Sequence, residues 1–276
     1  MQNKSLIKNL LNAVQTKFKS VTTNPYKKVN LNFFKLRYFK YQAAGILKRH
    51  RMFGSYFYFY SLPELLHGLN EIFLQEIYKQ ELADHPYIID CGANIGLSVI
   101  YLKQLYPGAE IIAFEPDEKN FKLLAKNVSS FNYQNVTIRN EAVWIDDTTL
   151  NFSNQGSMSS KIENEKSLNT NEVKAVRLKN FLNRDVDFLK IDIEGAEFKV
   201  VSDLTDRLNF VKNLFVEYHG SFEQNHELTS LFDLFSKNGF HYYLKEAAPV
   251  YNSPFIRKKG EDMPWDIQLN IFCFRK

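Results

Sequence analysis

The feature that most constrains this chain is a change of pattern at Tyr87. From there, short apolar runs alternate with amphipathic helical stretches. YIID (87–90), EIIAF (110–114), NVTIRN (135–140), DFLKIDI (187–193), NLFVEY (213–218) and FHYYL (240–244) read as strands. Helices are expected over 96–106, closed by Pro107-Gly108; over 117–129; from about Ala196; and over 227–237, stopped by Asn238-Gly239. A last strand, DIQLNIFCF (266–274), has no helix after it. Such alternation requires a mostly parallel α/β sheet with helices on both faces. Ligands of such sheets bind beyond the carboxyl ends of the strands, where strand order reverses, so a site is expected at the end of the first strand.

Four clusters of residues near strand ends carry the chemistry. Asp90-Cys91-Gly92-Ala93-Asn94-Ile95-Gly96 closes the first strand and opens a helix. Gly92 and Gly96 allow a sharp turn, and a helix N-terminus offers free N–H groups to a carboxylate or phosphate. The dinucleotide fingerprint is absent, because Asn94 stands where its second glycine would be, which disfavours an NAD-dependent oxidoreductase. Glu115 closes the second strand 23 residues after Gly92, at the spacing of an acid that accepts a ribose diol. Pro116 follows, rigid and suited to lie beside a purine. The plain alternative for Glu115 is a helix cap before Asp117. The third cluster is Lys190-Ile-Asp192-Ile-Glu194-Gly195-Ala-Glu197, whose acids either serve the reaction or cap a helix. The fourth is Glu217-Tyr218-His219, where a neutral imidazole would suit proton removal near pH 7, although a lone His is often structural.

Taken in order, DCGANIGLS, AFEPD, NEAV, DFLKIDIEGAE and VEYH closely resemble the FkbM family of S-adenosylmethionine-dependent methyltransferases, over roughly Tyr87 to Tyr243. The resemblance implies a class I methyltransferase, Rossmann-like fold whose seven-stranded sheet has its last strand antiparallel. It implies that Asp90, Gly92, Asn94 and Gly96 hold the methionine end of S-adenosyl-L-methionine. Glu115 and Pro116 then take the ribose and the adenine edge, with Glu141 and Ala142 on the adenine side. His219, Asp192 and Glu194 are the expected catalytic residues. Family members commonly methylate hydroxyl groups of sugars or natural products, so an O-methyltransferase of polysaccharide biosynthesis is expected. Related O-methyltransferases use a divalent ion, which leaves that alternative open, but no metal is expected, since the chain shows no metal-ligand spacing. The alternative is a catalytically idle cofactor-binding scaffold.

The first 84 residues lie outside that pattern and read as a mainly helical extension, with the catalytic domain over 85–276. Of 35 basic residues, twelve fall in 1–51 and none of the 31 acidic residues does, so the rest of the chain carries a net charge of −8. A basic arm of this kind attracts anions: a phospholipid surface, an acidic glycan or nucleic acid, the last disfavoured. Leu6, Ile7, Leu10, Leu11, Val14 and Phe18 share one helical stripe, read as a docking helix or as a peripheral membrane helix. Aromatic residues crowd 33–60, ending in Tyr56-Phe-Tyr-Phe-Tyr60; they would cover a domain edge or stack on rings. A helix is expected from Ser61 to about Gln80. Cys91 and Cys273 read as small buried hydrophobes, and with no leader segment or membrane span they place the chain in the cytoplasm, with contact at the inner membrane face through the arm. The polar tract 154–171, with Ser157 to Ser160, reads equally as an acceptor loop or an insertion.

Overall fold

The computed structural model describes residues 24–153, 170–251, 253, 255–256 and 264–275. The stripe from Leu6 to Phe18 and most of the polar tract, Ser157 to Ser160 included, lie outside them. The chain divides into two compact units: residues 1–79 with 129–132, and residues 80–128 with 133–276.

In the first unit, helix α1 (Phe33–Lys40) is capped by Asn32, whose side chain accepts from Lys35 N–H. Strands β1 (Lys48–Met52) and β2 (Ser55–Phe59) then form an antiparallel hairpin turned by Phe53-Gly54, both with positive φ. The expected helical extension therefore also holds a hairpin. KRHRM and SYFYF alternate with period two, and Phe57 and Phe59 point inward while Tyr56 points out. The expected helix from Ser61 to Gln80 is shorter: α2 (Leu62–Gly68) passes into a π-helical turn that ends at Leu74.

The second unit holds a seven-stranded sheet made of β3 (Tyr87–Cys91), β4 (Glu110–Phe114), β5 (Val136–Arg139), β9 (Val186–Ile191), β10 (Val211–Gly220), β11 (His241–Glu246) and β12 (Ile267–Phe274), in the order β11-β12-β10-β9-β3-β4-β5. Neighbouring strands of this sheet pair in parallel except at β12, which runs antiparallel to both β10 and β11. This is the class I methyltransferase arrangement expected from the sequence. β3 is buried along its whole length and β9 nearly so, as central parallel strands must be. Ile88, Ile89, Leu189 and Ile191 are fully enclosed, each contributing about 1.5–3 kcal/mol of burial. The chain leaves β3 towards β4 and β5 on one side and later returns to β9 on the other, so strand order reverses between β3 and β9. A ligand cleft belongs at their carboxyl ends.

Helix α3 (Leu97–Leu105) follows β3, and α4 (Glu118–Phe131) follows β4. Helices α5 (Glu197–Asp203) and α6 (Asn225–Lys237) pack on each other and on β10. Between β5 and β9 a small sheet forms from β6 (Ala142–Trp144), β7 (Thr148–Ser153) and β8 (Thr170–Arg177). Cys91 and Cys273 are buried thiols, as expected, and no described helix is long and apolar enough to cross a membrane.

Candidate active site

The turn after β3 is fixed by its own backbone. Gly92 has φ +84°, and a Cβ there would lie 1.8 Å from the carbonyl oxygen of Asp192, so only glycine lets the turn come this close to the end of β9. The N–H groups of Gly92 and Ala93 donate to Phe114 O at 3.0 and 2.9 Å, tying the turn to the end of β4. Asn94, also left-handed at φ 47°, donates its N–H to Glu115 Oε2 at 2.8 Å. Asp117 N–H donates to Glu115 Oε1 at 2.9 Å. The glycine turn and the acid 23 residues downstream therefore meet directly. Burial pushes the Glu115 pKa up to about 7, against the two N–H donors that favour its charged form.

Glu115 lies on a cleft of about 720 Å³, open mouth included, that also involves Gly92, Asn94, Pro116, Glu141, Ala142, Asp192 and Glu194. Of the expected cofactor-binding residues, Asp90 and Gly96 do not line it. Asp90 is fully buried, accepts from Ser98 Oγ at 2.5 Å and stands 3.2 Å from Lys190 Nζ. Gly96, at φ +93°, is the N-cap of α3, packed beneath Leu124. Both support the turn from behind. Glu141 faces the cleft, but its two carboxylate oxygens pair with Arg139 and Lys174, so its charge is already neutralised. Phe114, Asp117, Asn120, Val143 and Ile193 complete the lining, and sequence reasoning gave them no role.

At the other end, Lys190 is buried between Asp90 and Asp192, 3.3 Å from the latter, and donates to Gly92 O at 2.8 Å. Glu194 and Gly195 are consecutive left-handed residues, φ 57° and 101°. Their turn lets the wholly buried Glu197 accept from Ile193 N–H at 3.0 Å and Gly195 N–H at 3.0 and 3.1 Å. Glu197 also takes the Nδ1 of His219 at 3.3 Å. His219 is buried at the end of β10, with Nε2 3.6 Å from Glu217 and 3.8 Å from Glu194.

Burial disfavours a charged ring here, but the bond to Glu197 and the charges of Glu197, Asp192 and Glu194 outweigh it and push the His219 pKa up to about 10. The sequence suggests a neutral imidazole; the four carboxylates around the ring favour its charged form, and their adjacency depends on strand pairing and not on spacing along the chain. Sequence also gave no reason to single out Glu197 over Glu194, and its clue was only its place three residues after Glu194. Asp192, Glu194 and His219 also bring one ligand atom each within 4.8 Å of one another, a grouping that spacing along the chain does not reveal.

The chemistry of the lining fits S-adenosylmethionine. Each Glu115 oxygen uses one backbone N–H and keeps further acceptor capacity for a diol. Phe114, Pro116, Ala142 and Val143 offer apolar surface for a purine, and Asp192 and Glu194 suit a cationic sulfur.

Comparison with known proteins agrees. A methyltransferase 1 of Beauveria bassiana (strain ARSEF 2860) is 28% identical over 182 residues, 56% of this chain and 72% of that protein. The methyltransferase sdnD of Sordaria araneosa is 37% identical over 84 residues, 24% of this chain and 32% of that one. Among solved structures, an FkbM methyltransferase from Methylobacillus flagellatus KT is 17% identical, with a TM-score of 0.47, covering 71% of this chain and 45% of its own. The model of the FkbM methyltransferase domain matches residues 90–242, more than half the chain. On that match the chain belongs to the FkbM family of S-adenosylmethionine-dependent methyltransferases.

Proposed function

We propose that this methyltransferase uses S-adenosyl-L-methionine to methylate a hydroxyl group of a sugar, glycan precursor or natural product. The observation that carries the reading is the meeting of Asn94 N–H with Glu115 at one end of a cleft whose other end is walled by Asp192 and Glu194. The cofactor supplies an electrophilic methyl group. Glu115 accepts the ribose hydroxyls, the Gly92–Asn94 turn receives the methionine end, and Pro116 and Ala142 flank the adenine. An acceptor hydroxyl becomes a good nucleophile only as its proton leaves. Asp192 and Glu194 are the bases placed to take it, and His219 holds their charge in balance. The remaining work is to bring the two reactants to attack distance, about 3–3.5 Å, and to exclude water.

Calorimetric titration with S-adenosylhomocysteine and with NAD tests the cofactor: the first is expected to bind, and tight binding of NAD alone overturns the reading. Methyl release is then measured against a panel of sugar nucleotides and polysaccharide fragments. Binding without turnover on any acceptor favours the idle scaffold instead.

We also propose that the basic first unit meets an anionic membrane surface. Helix α1 exposes Phe33, Phe34 and Tyr38, with Phe34 79% accessible, and carries Lys35, Arg37 and Lys40. Aromatic and cationic side chains together suit an anionic lipid interface. Flotation of the full chain with phosphatidylglycerol vesicles is expected to recover it, and Lys40→Gln to weaken that binding about fivefold, near 1 kcal/mol per cation. Equal recovery with neutral vesicles overturns the idea.

A further inference from the structure

We propose that Asp192, Glu194 and His219 form a divalent-cation site at the acceptor end of the cleft. The three side chains come from the end of β9, the left-handed turn after it and the end of β10, and offer two oxygens and one nitrogen within 4.8 Å of one another. Around an ion at about 2.1 Å from each ligand, ligand atoms stand roughly 3 to 4.2 Å apart, so side-chain adjustments of several tenths of an ångström complete the shell.

An observation outside the three ligands points the same way. His219 Nδ1 faces Glu197, which is wholly buried and held by the N–H groups of Ile193 and Gly195. A ring whose one nitrogen donates to a buried carboxylate has its other nitrogen fixed in direction, the arrangement by which proteins orient a metal-binding imidazole. Nε2 is that other nitrogen. His219 is 4% exposed, and its Nε2 faces the carboxylates, 3.6 Å from a Glu217 oxygen and 3.8 Å from one of Glu194.

Asp192, Glu194, Glu197 and Glu217 surround the ring, and Lys190 pairs with Asp192 and Asp90. A mixed set of one imidazole and two carboxylates suits Mn²⁺ or Zn²⁺ better than Ca²⁺. With three protein ligands the ion keeps positions open; in the ion-bound protein Asp192 and Glu194 act as ligands in place of bases, and an acceptor hydroxyl on the ion would lose its proton to water more readily. The site itself does not depend on the methyl-transfer reading.

The test is Mn²⁺ binding to the full chain after chelator treatment, followed by loss of the free-ion electron paramagnetic resonance signal and by calorimetry. One ion per chain is expected, at micromolar affinity. Glu194→Gln, at a half-exposed side chain, and His219→Asn are each expected to weaken it at least tenfold, while Asp117→Asn in the same cleft leaves it unchanged. Absence of stoichiometric Mn²⁺ and Zn²⁺ binding overturns the proposal, as does binding that Glu194→Gln leaves intact in a variant whose melting curve matches the parent. S-adenosylhomocysteine titration of the same samples reads the cofactor end separately.

Discussion

The two ends of the cleft are built on different principles. At the Glu115 end the backbone does the positioning: a left-handed glycine, a left-handed asparagine and two N–H donors hold one carboxylate in place. At the Asp192 end, side chains position one another: Lys190 sits between Asp90 and Asp192, and Glu197 directs His219 beside Glu194 and Glu217. The first end is a rigid receptor with one polar anchor. The second is a charged cluster whose properties depend on which cations are near it. Under the proposed function the first end serves binding and the second turnover, so altering each alone tests the contrast.

The largest effect is expected at the rigid end. Glu115→Ala removes the acceptor for the ribose diol and strands two N–H groups. Hydrogen bonds to a charged group contribute about 1.5–3 kcal/mol each, so S-adenosylhomocysteine affinity should fall roughly a hundredfold or more by calorimetry. At the charged end, His219→Ala removes the ring that holds Asp192 and Glu194 and should lower turnover about tenfold, near 1.4 kcal/mol, and spare that affinity. Equal losses of affinity in both variants would erase the distinction between the ends.

How much of each end could be read from the chain follows from the same contrast. The turn and Glu115 were legible because a glycine turn after a strand and an acid at the next strand's end keep a fixed spacing in any parallel sheet. The expected strands agree with the observed ones to within about two residues, β4 without any shift, since both are set by apolar runs and their glycine and proline stops. The cage around His219 was hidden. Glu197 and His219 lie 22 residues apart, and only the pairing of β9 with β10, together with the positive φ of Glu194 and Gly195, brings them together. The β1–β2 hairpin was missed because its basic and aromatic residues masked an alternation of period two. Asp90 and Gly96 belong to the motif but lie behind the residues that line the cleft, because motif membership does not tell a wall from its support.

A pH series sharpens the comparison further. Glu115 is raised from its ordinary value of 4.5 to about 7, so the folded state holds a proton that the unfolded state has released between those values. Its contribution to stability is complete below pH 4.5 and is lost as pH rises through 7. Ribose hydroxyls donate to the charged form, so binding releases that proton. S-adenosylhomocysteine affinity should therefore climb with pH below 7, by up to about tenfold per unit, and level off above it. Glu115→Gln should flatten both trends. A slope that survives in Glu115→Gln would assign it to the charged end instead.

The smallest effect expected tests whether backbone placement alone explains the rigid end. Asn140 donates its side-chain N–H to the carbonyl oxygens of Glu115, at 2.9 Å, and Pro116, at 3.1 Å, so it holds the acid's loop without lining the cleft. Both bonds are near solvent, and a typical net hydrogen bond contributes about 0.5–1.5 kcal/mol. Asn140→Ala should thus weaken S-adenosylhomocysteine binding only severalfold while leaving Mn²⁺ affinity unchanged. A loss as large as that of Glu115→Ala would mean that the acid is aimed by this side chain more than by the Asn94 and Asp117 N–H groups, and the two ends would then be built alike.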